Sequence, residues 1–343
     1  MNRPPTINDV AAAAGVSVST VSRVVRNHSD VKSETRAVVL DTIRDLDYVP
    51  SSIARAMVSG RTKTIGLLVC DIANPFYPEL AKSVEREASR NGYTVFICNT
   101  EDSQVEVDRH LRRLLSHGID GIIHASVGDD EETVSRLMGS PRRVVFTNRR
   151  PRSQTANYIV SDNEGGAEEL TRYLLGLGYR RVGFVGGPTF ASNAAERLRG
   201  FSRVMEAEPG ATALVAVGSF DPEAGVRIAT QWLSLSDPPE AIVGVNDAVA
   251  LGVVEAILRS GRRIPDDVAV AGFDDIQLAS ANIVGLTSIS QHIEYLGERA
   301  FQILLQQISG EAAATPLQEV IAPTLQIRHT TELASLAWMP KGY

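Results

Sequence analysis

Cysteine is scarce in this chain, with only Cys70 and Cys98 among 343 residues. That excludes a disulfide scaffold and any zinc or iron–sulfur site built from several cysteines. Both lie in apolar, strand-like runs and are expected to be buried free thiols. No run of about 18 apolar residues occurs, so no transmembrane helix and no membrane partner are expected. The first residues, MNRPPTINDVAAAAGVS, hold one arginine and no apolar stretch long enough for a signal-peptide core, which points to the cytoplasm. Several enzyme signatures are missing too. Gly183-Phe184-Val185-Gly186-Gly187 follows a strand pattern but lacks GxGxxG spacing; GxxxxGK[ST], GxSxG and HExxH do not occur. Neither a metal nor a cofactor is expected, and an α/β enzyme is the rival class that these absences disfavour.

What is present is an ordinary globular composition, 43% hydrophobic and 22% charged, long enough for two to three domains. The net charge of −7 argues against a nucleic-acid partner only while it is averaged. Met1–Lys63 carries +3 and the remainder −10. A small basic head on an acidic body is the asymmetry to explain.

In the head, Ile7, Val10, Ala11 and Ala14 repeat along one face of a short helix. Thr6 and Asp9 form a capping-box-like start, and Gly15 can take the left-handed conformation that ends the helix. Ser17 would cap a second helix with Val21, Val24 and Val25 on its apolar face and Ser19, Thr20, Ser22, Arg23 and Arg26 on its polar one. A third pattern, Val39, Ile43 and Leu46, follows a Ser33 cap and ends near Tyr48. Two short helices joined by about four residues and closed by a third describe a helix-turn-helix. Its second helix would enter the major groove with Val18 and Ser19 leading, and Arg23 within reach of a guanine edge. Pro50–Arg61 carries a shorter helical pattern, Ile53, Ala54 and Met57, with Ser51 or Ser52 as cap. It is too short to fold alone in water.

From Thr64 onward, short apolar runs alternate with amphipathic stretches. Strands are expected at 65–69, 94–98, 121–124 and 144–147, then at 182–185, 214–217, 241–243 and 268–271, with 286–289 and 325–328 returning to the two halves. That is two doubly wound parallel sheets. Ligands of such sheets bind beyond the carboxyl ends of the strands. The polar and aromatic residues there are Asn74 and Phe76, Asn148, Arg197, Phe220, Asn246 with Asp247, and Asp274 with Asp275. Carboxylate, guanidinium and amide groups suit a polyhydroxylated ligand, and Phe220 or Phe76 could stack on a sugar ring. Arg197 and Asp274 should face a ligand or each other. Asn246 could instead hold its own loop, Asn74 could be a turn residue before Pro75, and Asp275 reads as a structural cap.

The residues Ala14-Gly15-Val16-Ser17 and Thr20-Val21-Ser22-Arg23-Val24, with the rest of the head, resemble the DNA-binding head of the LacI/GalR family of bacterial repressors. The similarity extends along nearly the whole chain. Asn74-Pro75-Phe76-Tyr77, Val160-Ser161-Asp162-Asn163, Arg197-Leu198-Arg199-Gly200-Phe201, Val245-Asn246-Asp247 and Val270-Ala271-Gly272-Phe273-Asp274-Asp275 all match family motifs. The resemblance implies an all-α helix-turn-helix head (1–49), a hinge helix (50–63) and a periplasmic-binding-protein-like α/β body (64–343). In the body, one subdomain would hold about 64–161 and 290–322, the other about 162–289 and 323–330. It implies operator contacts from Thr6, Ser17, Val18, Ser19, Thr20, Ser22, Arg23, Arg26, Ser33, Tyr48 and Ala54, and a minor-groove wedge at Met57 where relatives carry leucine. Arg197, Asn246 and Asp274 would bind the effector, with Gln291 near the rim of the site. Asn148 stands where many relatives have aspartate, and with Arg149-Arg150 beside it an acidic or phosphorylated effector stays open.

The function so implied is a repressor that binds a palindromic double-stranded operator as a homodimer and is released by a sugar or sugar-derived effector. The alternatives are a corepressor-dependent regulator and a two-lobed sugar-binding protein with no role in transcription. Only fifteen residues follow Arg328, without the heptads of a tetramerising coiled coil, so a dimer is expected.

Overall fold

The computed structural model describes residues 3, 5–25, 28, 30–48, 61–126, 128, 134, 143–311 and 315–332. The chain divides into two units, Met1–Lys63 and Thr64–Tyr343. The expected hinge residues Ala54 and Met57, and the expected operator contact Arg26, lie outside the described residues.

The head holds three helices: α1 (Ile7–Ala13), α2 (Val18–Val25) and α3 (Ser33–Asp45). Their apolar stripes meet in one small core of Val10, Ala11, Val21, Val24 and Val39, with Ile43, Leu46 and Tyr48 packed against it. The Asp9 carboxylate accepts from the Thr6 backbone N–H and hydroxyl, both at 2.7 Å, which fixes the start of α1. Gly15, at φ 65°, releases the chain into the turn. One expectation is corrected. Ser33 is the first residue of α3, not its cap; Lys32 holds the cap position and makes no side-chain capping bond.

The body runs β1 (Thr64–Val69), α4 (Phe76–Arg90), β2 (Thr94–Asn99), α5 (Gln104–Ser116), β3 (Gly121–His124), β4 (Val144–Thr147), β5 (Asn157–Ser161) and α6 (Asn163–Gly176). It continues with β6 (Arg181–Gly186), α7 (Ser192–Ala207), β7 (Thr212–Val217), α8 (Pro222–Leu233), β8 (Ala241–Gly244), α9 (Asp247–Arg259), β9 (Ala269–Asp274) and α10 (Gln277–Ser280). It closes with β10 (Thr287–Ser290), α11 (Ile293–Ser309), β11 (Gln318–Ile321) and β12 (Thr324–Gln326). The first sheet has the order β11-β5-β4-β3-β1-β2, the second β12-β10-β9-β8-β6-β7. Central strands such as β3, β4 and β8 are buried along their whole length, as expected where helices cover both faces.

Two strands, β5 and β11, were not among those expected from the sequence, and they pair with each other in the first sheet. The second sheet is not wholly parallel, because β12 runs antiparallel to β10. The chain therefore crosses between the two lobes three times, at Asp162, at Gln291-His292 and at Ala322-Pro323. In the second lobe, α8 and α9 touch backbone to backbone. A Cβ on Gly252 would lie 1.9 Å from the Pro222 carbonyl oxygen, and one on Gly225 2.1 Å from that of Val249. Only glycine permits that approach.

Candidate functional site

In the head, the exposed surface of α2 begins at its N-terminus. The Ser17 hydroxyl accepts from the Thr20 N–H at 3.2 Å and lies 2.8 Å from the hydroxyls of Ser19 and Thr20. Ser17, Val18 and Ser19 are exposed, and Thr20 and Ser22 are half-buried beside them. Arg23, one turn on, pairs with Asp30 at 3.3 Å, but both side chains are more than half exposed. Such a pair holds its partners weakly and leaves the guanidinium free to exchange. Thr6 and Tyr48 are half-buried at the two ends of the module, and Ser33 is exposed on α3. Arg23 is therefore presented on the same helix as Val18 and Ser19, in the geometry of a recognition helix.

In the body, the carboxyl ends of the strands of both lobes line a narrow cavity between them. It is lined by Asn74, Phe76, Asn148, Arg197, Phe220, Asn246 and Asp274, seven of the ten residues singled out from the sequence, together with Cys70, Asp71, Tyr77 and Asn193. Cys70 and Asp71 follow β1 directly, so the strand-end rule that selected Asn74 could have found them. Tyr77 closes the Asn74-Pro75-Phe76-Tyr77 run. Asn193, in the first turn of α7, carried no such signal.

Each side chain is held by the element that presents it. The Asn74 side-chain oxygen accepts from the Phe76 N–H at 3.1 Å and its carbonyl from the Tyr77 N–H at 3.0 Å, opening α4 so that both rings stand in the cavity wall. The rings of Phe76 and Tyr77 meet edge to face, 5.2 Å between centroids. Asn246 caps α9: its oxygen accepts from the Val249 N–H at 2.9 Å and its amide donates to the Phe220 carbonyl at 3.2 Å. That amide shapes the cavity and spends its hydrogen bonds inside the fold. Asn148, at φ 63°, donates to the Ala125 carbonyl at 3.1 Å and to the Tyr77 hydroxyl at 3.3 Å. Its oxygen accepts from the Asn193 amide at 3.3 Å, a bond from one lobe to the other.

The floor is an ion pair. Arg197 is 1% exposed and stands 3.3 Å from Asp274. It also donates to Asn163 at 2.9 Å and to the Val245 carbonyl at 2.7 Å, and lies 3.7 Å over the Phe273 ring. One of its terminal nitrogens has no acceptor among the described residues. Burial pushes the Asp274 carboxyl up to about 6 against the pull of Arg197. The neighbouring Asp247 is fully buried, bonded to the Ser288 hydroxyl at 2.6 Å and the Ile276 N–H at 2.9 Å, and burial followed by the charge of Asp274 raises it well above the carboxylate range.

Three expectations need correction. Gln291 does not stand at the rim; it is fully buried behind Asp274, to which it donates at 2.6 Å. Asp275 is no cap; it pairs with Arg328 at 2.6 Å. Nor does Arg149 offer free positive charge to the cavity. Arg149 is fully buried and grips Asp102 with two bonds of 2.6 and 3.1 Å, and Arg150 pairs with Glu196 at 3.3 Å. Cys70 and Cys98 are buried free thiols, and burial, with the negative charge of Asp102 adding to it, pushes Cys70 up to about 12. Among the described residues no helix is long and apolar enough to cross a membrane, and no group of three or more potential ligands is placed to hold a metal.

Two family profiles match the chain. Residues 6–51 match "Bacterial regulatory proteins, lacI family", and residues 62–330 match "Periplasmic binding proteins and sugar binding domain of LacI family". Similar curated proteins include the HTH-type transcriptional repressor PurR of Photobacterium profundum, 35% identical over 88% of this chain and 92% of that protein. The ribose operon repressor of Halalkalibacterium halodurans is 34% identical over 95% of this chain and 97% of its own length. Among solved structures, the lac repressor dimer bound to operator and an anti-inducer superposes with a TM-score of 0.85 at 27% identity, covering 96% of this chain and 99% of that one. These relatives are repressors, not enzymes. With a helix-turn-helix at one end and a two-sheet cleft making up most of its length, the chain belongs to the LacI family of bacterial transcriptional regulators.

Proposed function

We propose that the chain is a dimeric, operator-binding repressor released by a neutral, polyhydroxylated small molecule, a sugar or sugar derivative, held in the cleft. The observation that carries this reading is the buried Arg197–Asp274 pair in the cavity floor, with a guanidinium nitrogen that has no acceptor among the described residues. It offers a donor and an acceptor side by side, which is what adjacent hydroxyls require. Phe76 and Phe220 supply apolar walls. Of the two arginines that left an anionic effector open, Arg149 is neutralised inside the fold by Asp102, and Arg150 pairs with Glu196 on the surface and is not part of the cavity lining. A similar protein named a ribose operon repressor agrees with a sugar.

The division of labour follows the expected boundaries: residues 1–49 read DNA, 50–63 link, and 64–343 bind the effector and dimerise. Effector in the cleft favours a lobe arrangement whose paired heads bind operator less well, and operator disfavours the effector by the same factor. Couplings of this kind are about 1–3 kcal/mol. The deciding experiment is fluorescence anisotropy of operator DNA titrated with repressor, with and without a panel of pentoses, hexoses and disaccharides. At least one sugar weakens operator binding fivefold or more (about 1 kcal/mol). Tightening would make the ligand a corepressor, and indifference to every sugar would overturn the reading.

The free sheet edges supply a dimer surface. On β2, Phe96 and Ile97 are 45% and 48% exposed, and on β7 Val215 and Val217 are 46% and 53% exposed. Apolar edge strands are unstable against further association unless covered. Sedimentation velocity should show a dimer, and the Phe96→Asp, Val217→Asp double variant a monomer with much weaker operator binding. A stable tetramer in the unaltered protein would contradict this assignment.

A further inference from the structure

The two lobes are bonded to each other at two points of the cleft rim, by residues that do not line the cavity. At the first point, the segment after β4 meets the first turns of α7. The Arg150 N–H donates to the Ser192 hydroxyl at 2.8 Å, and its guanidinium pairs with Glu196 at 3.3 Å. At the second, the Glu79 carboxylate of α4 accepts from the N–H of Gln277, the first residue of α10, at 2.8 Å. The cavity lining adjoins both: Asn148 and Asn193 are neighbours in sequence of the first point, and Tyr77 and Asp274 lie close in sequence to the second. A helix start leaves backbone donors that must be met from outside the helix. The residue at the cap position of α10, Ile276, has no side chain that could serve, and the acceptor for Gln277 comes from the opposite lobe.

We propose that these contacts form a two-point latch that holds the cleft shut by the protein's own bonds, whatever class of small molecule the cleft takes. One net hydrogen bond shifts an equilibrium by only a few-fold to about tenfold, and an ion pair with a half-exposed guanidinium by less. Either point alone therefore closes the cleft weakly and reversibly. Two points on one lobe close it cooperatively, because making one bond brings the partners of the other within reach. Glu196 also joins the latch to the cavity floor. Its second oxygen accepts from the Asn163 amide at 2.9 Å, and the Asn163 oxygen accepts from Arg197 at 2.9 Å. Arg150, which has no part in the cavity, is thus two hydrogen bonds beyond the buried guanidinium through Glu196. The latch sets the fraction of molecules whose cleft is open, and the apparent affinity of any ligand that needs the open cleft to enter falls by that fraction.

The test uses the full-length protein with no sugar added. Cys70 lines the cavity and is 7% exposed, whereas Cys98 is buried on β2 away from it. Alkylation of Cys70 by N-ethylmaleimide, followed by peptide mass spectrometry, reports opening of the cleft, with Cys98 as internal reference. Amide hydrogen exchange of the peptides carrying Arg150 and Gln277 reports each point separately. In the Arg150→Gln, Ser192→Ala double variant, Cys70 reacts at least fivefold faster, and the Gln277 amide at the other point exchanges at least fivefold faster. Glu79→Ala does the converse, speeding Cys70 and the Arg150 amide by the same factor. Glu79→Gln keeps a carbonyl acceptor for Gln277 and stays within twofold of the unaltered protein on both counts. Exchange in β8, buried along its whole length, is unchanged in every variant. A Cys70 rate that neither release alters, or an amide at one point that ignores release of the other, overturns the latch. So does a rise in β8 equal to that at the rim, which would make loss of stability the cause. An effect as large in Glu79→Gln as in Glu79→Ala overturns the bond assigned to the second point.

Discussion

Replacing Asp274 with alanine abolishes the response to the effector while the head continues to bind operator. The side chain is 4% exposed, holds Arg197 at 3.3 Å and Gln291 at 2.6 Å, and lines the cavity. Alanine leaves the Arg197 charge buried without its counterion, which costs about 3–5 kcal/mol. Two readings therefore move together: the melting temperature of the body falls, and effector no longer weakens operator binding. Asp274→Asn separates them. It keeps partners for Gln291 and Arg197 but loses the charge, so it recovers part of the stability without recovering affinity. A normal effector response in both variants would place the ligand elsewhere.

The same carboxyl predicts the pH dependence. Its pKa is raised to about 6 in the folded body, above the roughly 3.9 of an unfolded aspartate. The folded state thus binds this proton more tightly, and the stability it contributes is fully present below about 3.9 and is lost as pH rises through about 6. Ligand binding has the opposite sign, because hydroxyls that donate to Asp274 select its ionised form. Effector affinity should be full above about pH 7, decline as pH falls through about 6, and be flat over that range in Asp274→Asn. An affinity that rises on acidification would contradict the donor–acceptor arrangement at the cavity floor.

Arg23→Ala removes operator preference and leaves effector binding untouched. Arg23 is exposed on α2, one turn beyond Val18 and Ser19, and its pair with Asp30 is too exposed to hold it against a guanine edge. A bidentate arginine–guanine contact discriminates by about 1–3 kcal/mol, so two heads in a dimer lose about 2–6 kcal/mol, at least thirtyfold in preference. Val18 and Ser19 have little capacity to compensate. Competition between operator and scrambled duplex at fixed salt measures the loss, and calorimetry with the effector confirms that the body is unchanged. Arg23→Lys, which keeps charge but not the fork, should retain non-specific affinity and recover little preference. Retained preference in the alanine variant would assign base reading to another residue.

The head and the cavity were legible in the sequence for different reasons. The caps at Thr6-Asp9 and Ser17, the glycine at the turn and the valines of α2 are local signals read within a few residues. The cavity followed from one rule, that polar residues after parallel strands face a common crevice. What escaped the reading was non-local. Strand β5 opens and closes on polar residues, Asn157 and Ser161, so its tail read as the crossing into the second lobe. Strand β11 is the four-residue edge segment Gln318-Glu319-Val320-Ile321, and nothing in its alternation names a partner 160 residues earlier. Arg149 read as a spare cation because its counterion, Asp102, lies 47 residues away and meets it only through the order of strands. Asn246 carried two readings, loop or ligand; its capping bonds to Val249 and Phe220 show that it supports its loop while also facing the cavity.

The three chain crossings between the lobes give the Asp274 carboxylate an anchor at a joint. Gln291 belongs to the second crossing, and its amide holds Asp274 at 2.6 Å. A ligand that pulls on Asp274 therefore pulls on the joint itself and not only on the wall of a lobe. The link between the carboxylate and the joint is one side chain long. Because each lobe closes with strands from beyond a crossing, neither lobe is a contiguous piece of chain that could be cut free.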